Sequence, residues 1–272
     1  MATDAGMTAF HRSDVNDCLR DVLNAYGLYL QSAGSTKALS DAEGGWFTDT
    51  GLKALCQEAD PSSEHPRKFE ELFGCDVSQP HYGFTSWDDF FVRQFRPGVR
   101  PTAHPDDDTV IVSVCESRPL TLAHGAKLHD DFWLKGQPYS LADMLGGEQY
   151  AKAFAGGTVY HAFLSPLSYH RWHAPVSGTV HKVVRIPGTY FAQNRYNGFD
   201  SGDPDPCAPQ KSQRYISHIA TRSIMFLDAD NQDIGIMAIV LVGMAEVSSC
   251  EWLVGEGAHV MKGQEIGMVS ST

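Results

Sequence analysis

The sequence predicts an α+β protein in which a helical N-terminal region packs on a mostly antiparallel β domain. Three observations predict it. Apolar residues in the N-terminal third recur at three- and four-residue spacing, the helical period. From residue 109 onward β-branched and aromatic runs replace them, separated by Gly, Pro, Asn and Asp. Near the end, glycines at turn spacing surround short apolar pairs over 255–267. The change of pattern sets two regions, a helical one over 1–101 and a β-rich one over 102–272.

Taken in order, Ser13 caps a helix whose Val15, Cys18, Leu19, Val22, Leu23, Tyr26 and Leu30 form one apolar stripe, which should pack on something. Thr48 or Thr50 caps a short helix through Leu52, Leu55 and Cys56. Phe69, Leu72 and Phe73 mark another that Gly74 ends, and 61–66 between them is a polar loop. Ser86 caps a third segment, with Asp88 and Asp89 in its first turn against the helix dipole, and with Phe90, Phe91 and Phe95 turned inward. Arg96-Pro97-Gly98 stops it. Arg93, Arg96 and Arg100 read as a solvated basic edge rather than as substrate contacts.

The β region opens with a short run at 110–114, which places Glu116 at a strand end. Residues 132–136 close a strand or turn, and Ser140 caps a helix through Leu141, Met144 and Leu145 to Gly146. Phe132, Trp133 and Tyr139 read equally as core or pocket wall. Strands are expected at 158–164 (TVYHAFL) and 178–184 (GTVHKVV), with 165–177 as the loop between them. Residues 187–191 form a turn into an aromatic pair. The Gly/Pro/Asp-rich loop at 194–209 is longer than most connections and reads as a lid or a plain surface excursion. Strands at 215–227, 234–247 and 251–254 complete the chain, with 228–231 as a turn.

The loop at 165–177 carries His170 and His173 flanking Arg171 and Trp172. Loops held by a rigid sheet commonly carry function, and histidine changes charge near neutral pH, which suits proton transfer. With 21 basic and 33 acidic residues the formal charge is −12, which disfavours nucleic acid and anionic membrane as partners. No apolar run reaches the roughly 20 residues needed to span a bilayer, and the N-terminus lacks a signal-peptide pattern, so a cytoplasmic protein is expected. Six cysteines (Cys18, Cys56, Cys75, Cys115, Cys207, Cys250) are scattered without a Cys-x-x-Cys pair, so reduced structural thiols are expected and no metal site.

The stretch Tyr169-His170-Arg171-Trp172-His173-Ala174-Pro175-Val176-Ser177-Gly178 resembles the signature of the phosphatidylserine decarboxylase family. It looks closest to the soluble fungal branch, which includes aromatic L-amino-acid (tryptophan) decarboxylases of secondary metabolism. Stretches 84–101 (FTSWDDFFVRQFRPGVRP), 111–117 (IVSVCES), 135–145 (KGQPYSLADML) and 187–193 (PGTYFAQ) agree in order. Residues 219–268 match almost throughout, so the resemblance covers nearly the whole chain after about residue 14. It implies that Glu116 orients His173 in a self-cleavage triad completed by a serine, and that His170 handles substrate or proton during decarboxylation. Membrane-bound members have aspartate where this chain has Glu116, and the soluble fungal relatives have glutamate. The resemblance also places Tyr190 and Phe191 near the substrate, with Arg171 and Trp172 read as further substrate-binding residues. Segment 255–267 resembles the closing half of a barrel-sandwich hybrid, with 174–180 as the opening half. This adds barrel-sandwich hybrid-like elements to the α+β prediction. Lys262 lacks the flanking residues of a lipoyl-carrier lysine.

Family enzymes continue into a strand and a Gly-Ser site, where self-cleavage converts the serine to a pyruvoyl group that serves as the electron sink. Here the sequence reads Met268-Val269-Ser270-Ser271-Thr272. Ser270 is the residue offered for self-cleavage, and cleavage before it would release a tripeptide. The expectation is a phosphatidylserine decarboxylase-like enzyme acting on a small amino acid or derived metabolite, truncated before the self-cleavage site. As written the chain holds no cofactor, and a pyruvoyl group is expected if the C-terminal segment is supplied elsewhere. The alternative is a pyruvoyl-independent lyase, cyclase or isomerase using Glu116, His170 and His173 as acid-base groups. A non-catalytic partner of an intact homologue is the weaker alternative. The partners expected are a small-molecule substrate, no nucleic acid and no stable membrane insertion, and a homo-oligomer is left open.

Overall fold

A computed structural model describes residues 3–130, 139–194, 211–245 and 247–270. Helices α1 (Asp4–His11), α2 (Ser13–Leu30), α3 (Asp49–Ala59), α4 (Phe69–Leu72) and α5 (Trp87–Phe91) precede the first strand, β1 (Arg118–His124). Next come α6 (Leu141–Met144), α7 (Glu148–Ala151), β2 (Thr158–Phe163), β3 (Arg171–His173), β4 (Gly178–Ile186) and α8 (Gln213–Ile219). The chain then runs through β5 (Arg222–Ala229), β6 (Ile236–Val242), β7 (Ser249–Trp252), β8 (His259–Val260) and β9 (Glu265–Ser270). The strands form three antiparallel sheets in the orders β1-β2, β3-β9-β7 and β6-β5-β4-β8. The α+β class follows directly.

Local chemistry explains several helix starts. Thr48 accepts from the Gly51 N–H and Ser86 from the Asp89 N–H, so each satisfies a first-turn donor with no helical partner. At α2 the cap is Arg12 and Ser13 is already helical. Ser140 holds the cap position of α6 without a capping bond, and its buried hydroxyl has no partner among the described residues. The α2 stripe packs mainly at its C-terminal end, where Leu30 is buried, while Val22 and Tyr26 stand in solvent.

Two cores meet at the histidine stretch. An aromatic core gathers Phe47, Phe69, Phe73, Phe84, Phe90 and Tyr169, and a β core gathers Phe91, Trp172, Val180, Met225, Leu227 and Ile266. Strand β5 is covered on both faces. Met225 and Leu227 face the β core, while Ile224 and Phe226 join a third cluster with Tyr139, Leu141 and Leu145. Burial on both faces is why this run lacks polar alternation.

Three segments differ from the sequence expectation. Residues 110–114 join no sheet. They make single bonds to the histidine stretch, Val112 N–H to Pro175 O at 3.0 Å and His173 N–H to Val114 O at 2.8 Å. Residues 213–219 are helical and β5 begins only at Arg222, because period-2 and period-3.6 patterns are not separable in a short apolar run. Residues 171–173 form a strand rather than loop, since β9 pairs them, Arg171 with Met268 and His173 with Glu265. The assignments at 132–136, the loop at 195–209 and Cys207 lie outside the described residues. The described cysteines are free thiols.

The turn between β8 and β9 fixes the site from below. Lys262 is buried, and its ammonium donates to the carbonyls of His104, Asp107 (2.6 Å) and Val110 (3.2 Å), which ties 104–110 to the turn. A carrier lysine must be exposed to be modified, so this placement removes the lipoyl reading. Gly263 follows with φ 79°, in the left-handed region that glycine adopts without strain.

Candidate active site

The site starts from His173, the last residue of β3. Its Nδ1 lies 2.9 Å from the carbonyl oxygen of Gly263, which can only accept, so Nδ1 carries the hydrogen. In the neutral ring Nε2 is then the lone-pair nitrogen, and the Tyr169 hydroxyl sits 3.0 Å from it. Tyr169 is buried and stacks with Phe95 (centroids 4.5 Å, 26° between planes) and with His173 (5.7 Å, 23°). Burial first, then the charge of Glu265, pushes its phenol pKa well up, so it remains a donor.

The acidic groups around the imidazole are paired with arginines. Arg100 Nε donates to Glu116 at 2.8 Å, and the guanidinium lies over the Phe95 ring. Arg171 donates to Glu265 and, at 2.6 Å, to the Val92 carbonyl, which links β3 and β9 to the end of α5. Glu116 and His173 therefore stand in one neighbourhood without the direct bond the resemblance implies: Arg100 takes the carboxylate, and Gly263 and Tyr169 take the two ring nitrogens.

His170 is 2 % exposed and stacks on Phe91 at 3.8 Å. Its carbonyl accepts from the Val269 N–H at 3.0 Å, while its Nδ1 has no partner among the described residues. Arg93 holds this turn. It is buried, donates to the carbonyls of Leu167 (2.7 Å) and Ser168 (3.2 Å), and lies over the rings of Phe73 and Phe90. Burial pulls its pKa down to about 9. The solvated-edge reading fails for Arg93 because neighbouring carbonyls and aromatic faces replace its water. Arg96 and Arg100 are likewise committed to protein partners, Arg96 to the carbonyls of Glu70 and Cys75.

Burial, with the Arg93 cation second, lowers His170 from 6.5 to about 3. The unfolded chain takes up a proton near pH 6.5 while the folded ring stays neutral, so stability is lost as pH falls from 6.5 towards 3, by at most about 1.4 kcal/mol per pH unit. His161 and His218 are shifted the same way by burial. Between pH 6.5 and 5 the unfolding free energy in urea is expected to fall by up to about 2 kcal/mol more in the wild type than in His170→Gln. Parallel pH curves would mean that this ring is not the source.

The remaining candidates lie elsewhere. Trp172 is 2 % exposed and packs on Trp252 in the β core, which leaves no face for a substrate. Arg171 is spent on Glu265 and Val92. Tyr190 and Phe191 follow the end of β4 remote from His173. The Tyr190 N–H donates to Asn16 of α2, and Phe191 packs on Phe10 of α1. These two aromatics are not brought to the histidines. Ser270 is the last residue of β9, paired with Ser249. Tyr169 and Gly263, the two partners of His173, were not singled out from sequence, and Arg93 was assigned to a solvated edge. Tyr169 had a signal, as the first letter of the motif, whereas the carbonyl of Gly263 had none.

Among the described residues no cluster of His, Cys, Asp or Glu is arranged to hold a metal ion, and no helix is long and apolar enough to cross a membrane. What the site offers is an imidazole whose Nδ1 hydrogen is held by a carbonyl, a second, buried neutral imidazole, and carboxylates held by arginines. That set is suited to moving protons at a small reactant.

Phosphatidylserine decarboxylase matches residues 87–272, and a second phosphatidylserine decarboxylase region matches residues 1–55. Among curated proteins, decarboxylase iboD of Amanita muscaria is 41% identical over 98% of this chain and 77% of its own length. The L-tryptophan decarboxylases of Psilocybe cyanescens and Psilocybe cubensis are 39% and 38% identical, again over 98% of this chain. The chain spans 62% of the length of each of these two. It belongs to the phosphatidylserine decarboxylase family, whose members are decarboxylases that use a pyruvoyl group.

Proposed function

We propose that this chain is the body of a carboxy-lyase acting on a small amino acid or a derived metabolite, with an aromatic L-amino acid as the first substrate to test. The observation that carries the reading is the tautomer lock on His173, a base whose proton inventory is set by Gly263 and Tyr169, within a chain of this family. The relatives named L-tryptophan decarboxylases support the substrate class, and the acidic net charge supports a small polar reactant over a lipid surface.

A pyruvoyl group supplies an electron sink for the pair of electrons released with carbon dioxide. The residues present fit such a group. His170 would hold it, because its buried imidazole nitrogen with no partner among the described residues suits a carbonyl-bearing neighbour. His170 is held by its stack on Phe91, His173 receives or returns a proton at Nε2, and Arg100 holds the Glu116 side chain through a charge-assisted hydrogen bond. Ser270, at the end of β9, is the serine this reading takes for self-cleavage.

The test is the intact mass of the purified protein, with and without reductive amination, together with release of carbon dioxide from aromatic amino acids. A trapped amine adduct with turnover is expected, and His170→Ala and His173→Ala should each lower that turnover by at least about a hundredfold while the fold persists. An unprocessed mass with no adduct would move the reading to pyruvoyl-independent proton transfer by Glu116, His170 and His173. Unchanged turnover in either variant would remove that histidine from the mechanism.

A further inference from the structure

The Tyr169 hydroxyl holds the one position on His173 from which the ring can act as a base. Because Nδ1 donates to the Gly263 carbonyl, the neutral imidazole has a single lone pair, at Nε2, and the phenol lies 3.0 Å from it. The phenol is not loosely placed. Tyr169 is 6% exposed, and its ring stacks with both Phe95 and His173. Phe95 is itself backed by Phe73 at 4.9 Å and capped by the Arg100 guanidinium. A buried phenol kept protonated beside carboxylates can only donate here, so it occupies the lone pair for as long as it stays in register.

We propose that Tyr169 is a positioning residue that gates His173. Its hydroxyl holds the ring plane while the Gly263 carbonyl holds the tautomer, and Nε2 becomes available to a reactant only when the phenol turns aside. The step it controls is one proton transfer: an O–H or N–H bond of the reactant breaks, an Nε2–H bond forms, and the resulting imidazolium keeps its Nδ1–H bond to Gly263. The inference takes from the proposed function only that His173 is a base. Its test reads the imidazole itself, so failure of the decarboxylase reading leaves the test intact.

The experiment is Tyr169→Phe in the full chain, which keeps the stacked ring and removes the oxygen. Nitrogen NMR of the histidine side chains should show Nε2 of His173 moving downfield towards a free lone pair while the Nδ1 hydrogen stays in place. Acylation of His173 by diethyl pyrocarbonate, mapped by peptide mass, should quicken about fivefold, the factor that one net hydrogen bond is worth. Phe95→Leu loosens the stack but keeps the hydroxyl, and should leave the acylation rate within about twofold. An unmoved Nε2 resonance or an unchanged acylation rate in Tyr169→Phe would overturn the gate. Equal acceleration in Phe95→Leu would also overturn it, by assigning the effect to packing.

Discussion

Arg93→Ala is expected to destabilise the fold by about 3 kcal/mol, more than an ordinary surface arginine contributes by an order of magnitude. Its removal leaves the carbonyls of Leu167 and Ser168 without their donor in a buried turn, at about 1–2 kcal/mol each, and strips the cation from the faces of Phe73 and Phe90. Relief of the guanidinium's own desolvation offsets part of this. Urea unfolding gives the number directly. Arg93→Met fills the volume without donating and should recover only the packing. A loss below about 1 kcal/mol for the alanine variant would mean that water substitutes for the guanidinium.

Trp172→Ala is expected to cost about 3–5 kcal/mol, the range for emptying a large buried aromatic site. Gly267 shows how little room surrounds the indole. A Cβ there would stand 2.8 Å from the Trp172 ring and 2.3 Å from the Glu251 carbonyl oxygen, so backbone and ring are already in close contact. Thermal or urea unfolding checks the expectation, with Val22→Ala on the exposed face of α2 as the reference, at about 0.5 kcal/mol or less. A small loss at Trp172 would show that the β core closes over the gap.

Much of this architecture is readable in the sequence. The caps at Thr48 and Ser86, the long α2 and strands β2 and β4 follow from local period and capping chemistry. What could not be read was non-local. The three residues of β3 are too few to carry a strand pattern and become one only through β9. Arg93 and Val22 were each assigned by residue character, and each lies on the other side of the surface from that assignment, because burial depends on which elements approach. In the site, the motif pointed to His170 and His173. It could not show that a backbone carbonyl from Gly263 sets the tautomer, or that Trp172 is part of the core.

The position of β9 between β3 and β7 also bears on how the protein is made. Arg171 must wait for Met268, and His173 for Gly263, so the His173 imidazole has no fixed tautomer in a nascent chain that has yet to expose those residues. Closing so long a loop carries an entropic cost that only the completed pairing offsets, which makes this step late and slow compared with the helix contacts upstream. Until then Trp172, Ile266 and the apolar face of β5 stand open to solvent. The same strand order therefore fixes the His173 tautomer only after β9 has been synthesised, and exposed apolar surface in the growing chain before then favours aggregation.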